Sequence, residues 1–272
     1  MGSATLVLGP RLGIALAVLT LVAAGTAAAT GLGYSRQIAV ASVRAILQLA
    51  AVSLVIAAVV ASLPLATTFV LVMLAIAALT SGRRITGRRG WWAAAPIAAG
   101  AVPIIAGLIA GGLVPPRGIA IVPMAGILIG GAMTATSLAG RRATDELAQR
   151  WGEYEAALAL GFLPRDAAML VIQPAAAQAL IPALDQTRTV GLVTLPGAYV
   201  GVLLGGASPL AAGATQVLVL VGLLAAESIA VAATAELVAR GLLRRAPARP
   251  RRRNPLRALT RRLPKRVPPD RP

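Results

Sequence analysis

Residues 45–82 read AILQLAAVSLVIAAVVASLPLATTFVLVMLAIAALTSG, and none of them carries a charge. A helix that crosses a bilayer needs roughly 20 mostly apolar residues. This run is long enough for parts of two crossings. Leu63–Pro64 marks the division, because proline after a short turn suits a tight helical hairpin. Arg44 bounds the run on one side and Arg83 and Arg84 bound it on the other. Apolar helices joined by tight turns and ended by basic residues describe an all-α, polytopic transmembrane bundle.

The same criterion, carried outward, picks seven spans at about 12–34, 38–61, 65–82, 91–113, 118–139, 190–206 and 210–239. Composition agrees. The chain of 272 residues is 57% hydrophobic and 13% charged, against about 45–50% and about 25% in soluble domains. A transmembrane domain over 1–243 is expected, with a cytoplasmic loop at 140–189. Residues 244–272 form a tail rich in Arg and Pro, for which disorder is expected.

Lys and Arg set the orientation. Basic clusters lie at Arg83–Arg89, at Arg141, Arg142, Arg150, Arg165 and Arg188, and in the tail. Seven spans with the N-terminus outside and the C-terminus cytoplasmic place all three clusters in the cytoplasm. Only Arg11 and Arg117 then lie outside. The alternative is a cleaved signal peptide, suggested by Arg11, an apolar run and AAGTAAAT. It would invert every later span and export the clusters, so a retained first helix is expected in a multi-pass protein of the cell inner (plasma) membrane. The net charge of +17 is accounted for by topology and by anionic lipid at the tail, not by nucleic acid.

Several chemistries are excluded. The chain has no cysteine and no histidine, so disulfides, zinc centres and Cys or His nucleophiles are impossible. It has no G-x-x-x-x-G-K-[ST] loop to cradle ATP phosphates. No catalytic residues, bound cofactor or enzymatic activity are expected, and a metal cargo would have to meet oxygens, Met sulfur or arrive as a complex.

Ionisable residues within spans are costly and tend to face a bundle interior or a pathway. Arg44 and Glu227 are the two that stand out, as an interior pair or as pathway groups; Arg44 alternatively snorkels to the headgroups. Gln48 lies one helical turn from Arg44 and extends a polar stripe. Met133 and Thr134 fall among small residues in GILIGGAMTATSLAG (126–140), a pattern that serves either helix packing or a pathway surface. Thr194, Pro196, Gly197 and Tyr199 fall in GLVTLPGAYVG (191–201), where proline and glycine interrupt a span. Such breaks mark transport sites or serve as packing kinks.

The loop at 140–189 contains EAALALGFLPRDAAMLVIQP (155–174). A helix from Glu155 should stop at Gly161 in the left-handed conformation, a second should start at Pro164 with Asp166 in its first turn, and Pro174 should end it. This stretch resembles the E-A-A-x3-G-x9-I-x-L-P loop of importer-type ABC permeases. Glu155, Ala156, Ala157, Gly161 and Pro174 keep its spacing, with Val171 for isoleucine and Gln173 for leucine. In that family the loop is the coupling helix, which docks on a separate ATPase. Glu155, Ala156, Ala157, Gly161, Pro164, Arg165 and Asp166 are the coupling residues this implies.

A wider resemblance covers most of the chain. VRAILQLAAVSL (43–54), GILIGGAMTATSLAGRR (126–142), EAALALGFLPRDAA (155–168) and GLVTLPGAYVGVLLGGASPLAA (191–212) resemble the FetB-type permeases. Those are membrane subunits of ABC systems linked to bacterial iron export, with plant relatives linked to aluminium tolerance. The resemblance implies a homodimeric permease exporting a metal ion such as iron, driven by two copies of an ATPase that carries the ATP and Mg. The chain departs from the family at 131 and 134, where Gly131 and Thr134 replace asparagines. It also departs at Ala198 and Tyr199, which replace methionines, and at Leu163, which replaces a capping serine. The reading from residues alone leaves an ATPase-independent transporter or channel using Arg44 and Glu227 as the alternative.

Overall fold

The computed structural model describes residues 9–87 and 90–244. The expectation of a disordered tail falls, apart from Arg244, outside these residues. The described chain is helical, with ten α-helices and no strand among the described residues. It divides into two compact units.

The first unit comprises residues up to Phe69 with Pro116–Ile119. It holds α1 (Pro10–Ala29), α2 (Ser35–Ala61) and the start of α3 (Leu63–Thr86). The short connection at 30–34 folds α1 back on α2 as a helical hairpin. Ala27 is the only buried residue of α1, and α2 has none. Leu21, Leu49 and Leu54 are all largely exposed, which suits helices whose solvent is lipid. The break between α2 and α3 falls where the sequence places it. Ser62 is extended and α3 opens at Leu63, with Pro64 in its first turn.

The second unit comprises Val70–Pro115 and the chain from Ala120 onward. Its helices are the rest of α3, α4 (Ala94–Ala110), most of α5 (Gly118–Gln149), α6 (Trp151–Ala159), α7 (Pro164–Ala177), α8 (Ile181–Thr189), α9 (Gly197–Leu204) and α10 (Pro209–Ala239). The interior helix is α10, which packs on α4, α7, α8 and α9. Helices of this unit approach closely because small residues line the seams. A Cβ on Gly100 would collide with the Ala226 carbonyl, and one on Gly140 would meet Ile85 Cδ1 at 2.5 Å. Association of helices in lipid relies on such packing, since lipid supplies no hydrophobic drive between them. One core cluster gathers Ile97, Leu128, Ile129 and Leu223. A second gathers Ile85, Val171, Ile172, Val231 and Leu243. Ser81 and Ser137 satisfy each other at 2.7 Å in the interior.

Among the described residues seven segments are long and apolar enough to cross a membrane, and six lie close to their expected positions. The remaining one does not. The expected span at 190–206 contains only α9, whose eight residues reach about 12 Å, far short of a hydrocarbon core of about 30 Å. Gly191 adopts φ +80°, its N–H bonds the Thr194 carbonyl at 2.9 Å, and Pro196 is extended. These turns break the helix despite its apolar composition. The segment with the required length and hydropathy is instead Pro164–Thr189, expected as part of the cytoplasmic loop.

Two further expectations change. Pro174 does not end its helix but sits inside α7, and a 3-10 turn at Gln178–Leu180 leads on into α8. Proline is tolerated inside membrane helices where neighbouring groups or local 3-10 turns re-satisfy the freed backbone. The fifth helix runs ten residues beyond 139, to Gln149.

Candidate functional site

Two polar features stand out in the second unit: an elbow between α6 and α7, and a cavity beside α10.

The elbow is built by backbone chemistry. Gly161 has φ +91°. Its N–H bonds the Leu158 carbonyl at 3.0 Å, and the Phe162 N–H bonds the Ala157 carbonyl at 3.1 Å. This is the Schellman arrangement that satisfies the last carbonyls of a helix and favours glycine. Pro164 then opens α7 at a first-turn position, Leu163 is its N-cap with no side-chain cap bond, and Asp166 stands in the first turn. Leu160, Phe162 and Leu163 are left exposed at the bend, at 79%, 46% and 68%. Three apolar side chains thus stand together on a turn flanked by charge, a surface that either a protein or lipid can cover.

The expected coupling residues occupy this elbow in distinct ways. Glu155 is exposed and accepts a hydrogen bond from Trp151 Nε1 at 2.9 Å. Ala156 is exposed, whereas Ala157 is buried. Arg165 donates Nε and Nη2 to Glu236 of α10 at 3.2 and 2.6 Å and Nη1 to Asp166 at 2.7 Å. Glu236 also accepts from Arg240 Nε at 2.6 Å. The N-terminus of α7 is thereby tied to the last turn of α10. At the start of α6, Arg150 bridges Glu146 and Glu153. Its hydrogen bond holds the Glu153 carboxyl below the usual range.

The cavity is an open pocket of about 280 Å³ between α5, α8 and α10, with Thr134 and Gln186 exposed at its mouth. Gly131, Thr134, Gln186 and Glu227 line it. Glu227 is 8% exposed, and its carboxylate has no hydrogen bond or ion pair among the described residues. A Cβ on Gly131 would collide with Leu223 Cδ1 and meet Glu227 Oε1 at 2.6 Å, so glycine makes room for both side chains of α10.

The other expected pathway residues are distributed. Met133 is partly buried against the core, and its carbonyl accepts from Ser81 at 2.9 Å. Pro196 and Gly197 begin α9, and the Tyr199 N–H donates to buried Gln216 Oε1 at 3.1 Å. Thr194 is exposed in the preceding turn. Arg44 and Gln48 belong to the first unit, where both line one open groove on α2. Thr134 and Glu227 are thus the expected residues that share a site. Gln186 and Gln216 were not anticipated. Gln216 is legible as an amide beside Thr215 near the start of the apolar run of α10, whereas Gln186 is unremarkable in a segment whose ends are charged.

The profile of the Uncharacterised protein family UPF0014 matches residues 11–243. The chain belongs to this family. Three relatives show its range. The UPF0014 membrane protein STAR2 of Oryza sativa is 37% identical over 161 residues, 58% of this chain and 56% of that protein. The UPF0014 membrane protein slr1647 of Synechocystis is 36% identical over 200 residues, 70% of this chain and 76% of that one. The probable iron export permease protein FetB of Escherichia coli is 33% identical over 109 residues, 40% of this chain and 42% of that one. The match thus spans little more than half the length of the rice protein. No solved structure matches. Seven apolar segments and membership of UPF0014 make the chain a multi-pass membrane protein.

Proposed function

We propose that this chain is the permease subunit of an ABC transporter, working as a homodimer with a separate ATPase that binds the ATP and Mg. The observation that carries the reading is the α6–α7 elbow. It presents Leu160, Phe162 and Leu163 beside Glu155, and it is tied to α10 by Arg165 and Glu236. A push on the elbow would therefore reach the helix that lines the polar cavity. The similarity to a probable iron export permease supports a metal ion as cargo and export as the direction.

The orientation read from arginines is part of this proposal and is compatible with the changed sixth span. Moving it from 190–206 to Pro164–Thr189 preserves one crossing there. The elbow and the Arg83–Arg84, Arg141–Arg142 and tail clusters stay cytoplasmic in the plasma membrane, and Arg188 moves to the outer side. Anionic lipid at the tail then stabilises the cytoplasmic C-terminus.

The test is co-purification of the chain with a candidate ABC ATPase subunit from the same organism, and stimulation of that ATPase in proteoliposomes. Association that disappears with Leu160→Asp and Phe162→Asp supports the reading; undiminished association refutes it. A second reading, transport without an ATPase, draws on the unpartnered Glu227. It requires ion flux through liposomes holding this chain alone.

A further inference from the structure

The described residues contain no group of three or more His, Cys, Asp or Glu that could hold a metal ion. A site for a cation must therefore be sought among sparser ligands. Every other described carboxylate is occupied. Glu146 and Glu153 pair with Arg150, Glu155 accepts from Trp151, Asp166 and Glu236 pair with Arg165, and Asp185 stands 3.8 Å from Arg188. Asp145 is also partnered. Glu227 alone is unpartnered, nine-tenths buried and on the wall of a cavity. A buried carboxylate left without a partner is costly to ionise, and one retained within a span points to a ligand or a proton as its missing partner.

The geometry points to the cavity beside Glu227 as a cation-binding site, with the Glu227 carboxylate as its charged ligand and Gln186 Oε1 and Thr134 Oγ1 as neutral oxygen ligands. The proposal rests on the permease reading and names the cargo site within it. Three observations support a cation over an empty packing defect. The donors come from three helices, α5, α8 and α10, and face one space. The Thr134 hydroxyl spends its proton on the Gly130 carbonyl at 3.0 Å, which leaves its lone pairs free to coordinate. Gly131 leaves open the space that a side chain there would fill against Leu223 and Glu227 Oε1.

The ligand chemistry selects the class of ion. All three donors are oxygens, which suits hard divalent or trivalent cations and disfavours thiophilic ones. A volume of about 280 Å³ admits an ion that keeps several of its waters. One carboxylate with two neutral oxygens binds weakly, as passage through a permease demands, since a cargo must also leave.

Terbium(III), a hard oxygen-seeking trivalent ion, is the probe. Its binding to the full chain in detergent micelles is measured by equilibrium dialysis without any ATPase present. Wild type is expected to bind one terbium more than Glu227→Gln, or at least about tenfold more tightly, because the charged ligand sets affinity. Gln186→Leu changes an exposed side chain on α8, so its fold is retained; it should weaken binding about threefold to tenfold. Glu227→Asp should retain part of the affinity. Equal stoichiometry and affinity in wild type, Glu227→Gln and Gln186→Leu would overturn the proposal. If Glu227→Gln does not elute as a single species, the Gln186→Leu comparison decides alone. ATPase association is a separate measurement, so the permease reading can fail while the site stands, and the reverse.

Discussion

Arg165 at the start of α7 grips Glu236 in the last turn of α10 through two hydrogen bonds, Nε to Oε1 at 3.2 Å and Nη2 to Oε2 at 2.6 Å. Arg165 is about half exposed and Glu236 about a quarter. Ion pairs in contact with water contribute little to stability. The role of this pair is geometric: two planar groups in a fork fix the angle between two helices.

Arg165→Ala should therefore leave the melting temperature in detergent nearly unchanged while lowering ATPase stimulation severalfold. Arg165→Lys should rescue poorly, because an ammonium cannot reproduce the fork. A large stability loss in Arg165→Ala would show the pair to be structural only.

Gly161 is the second test of the elbow. Its φ of +91° lies where L-residues are strained, while the space around a Cβ there is empty. Gly161→Ala should cost about 1–2 kcal/mol through backbone strain alone, read as reduced thermal stability of α6. Gly161→Asn should cost less, since asparagine tolerates the left-handed region. Equal effects of the two would argue that the bend has relaxed.

Gly100 makes a harder demand. Its neighbour is the Ala226 carbonyl, a backbone atom that cannot swing aside. Gly100→Val should separate α4 from α10 at a cost of about 1–3 kcal/mol or more. The check is the yield of monodisperse protein by size exclusion. Gly107→Val is the control, because nothing lies within 4 Å of a Cβ there.

The pH response of the elbow follows from Glu153. Its carboxyl is lowered by the hydrogen bond from Arg150. A depressed carboxylate stabilises the folded state above its unfolded value, about 4.3, and the contribution is lost as pH falls through the lower folded value. The side chains of Arg150 and Glu153 are both exposed, so the effect is small: amide protection in α6 should be flat from about pH 8 to pH 5 and dip only slightly in stronger acid. Glu153→Gln should remove that acid step.

Much of this was readable from residues. The uncharged run 45–82 with Pro64 marked two helices and their joint, and Gly161 with Pro164 marked the elbow. The failures have physical causes. Segment 190–206 is apolar, but hydropathy takes no account of Gly191 and Pro196, which interrupt the backbone ladder. Segment 164–189 was masked by Arg165, Asp166, Asp185 and Arg188, yet all four lie at its ends and leave 167–184 uncharged. Pro174 was read as a stop, although within an apolar helix proline can be carried. The cavity was half legible. Glu227 and Thr134 announced themselves as polar groups in apolar spans, whereas Gln186 depended on recognising α8 as part of a span-length segment.

The most direct test of the central claim is ATPase stimulation in proteoliposomes containing this chain and a candidate ABC ATPase subunit from the same organism, with Leu160, Phe162 and Leu163 intact or replaced together by serine. The account predicts that the intact chain binds the ATPase and accelerates hydrolysis, and that the triple serine variant remains folded but does neither. Undiminished binding and stimulation by that variant would contradict it.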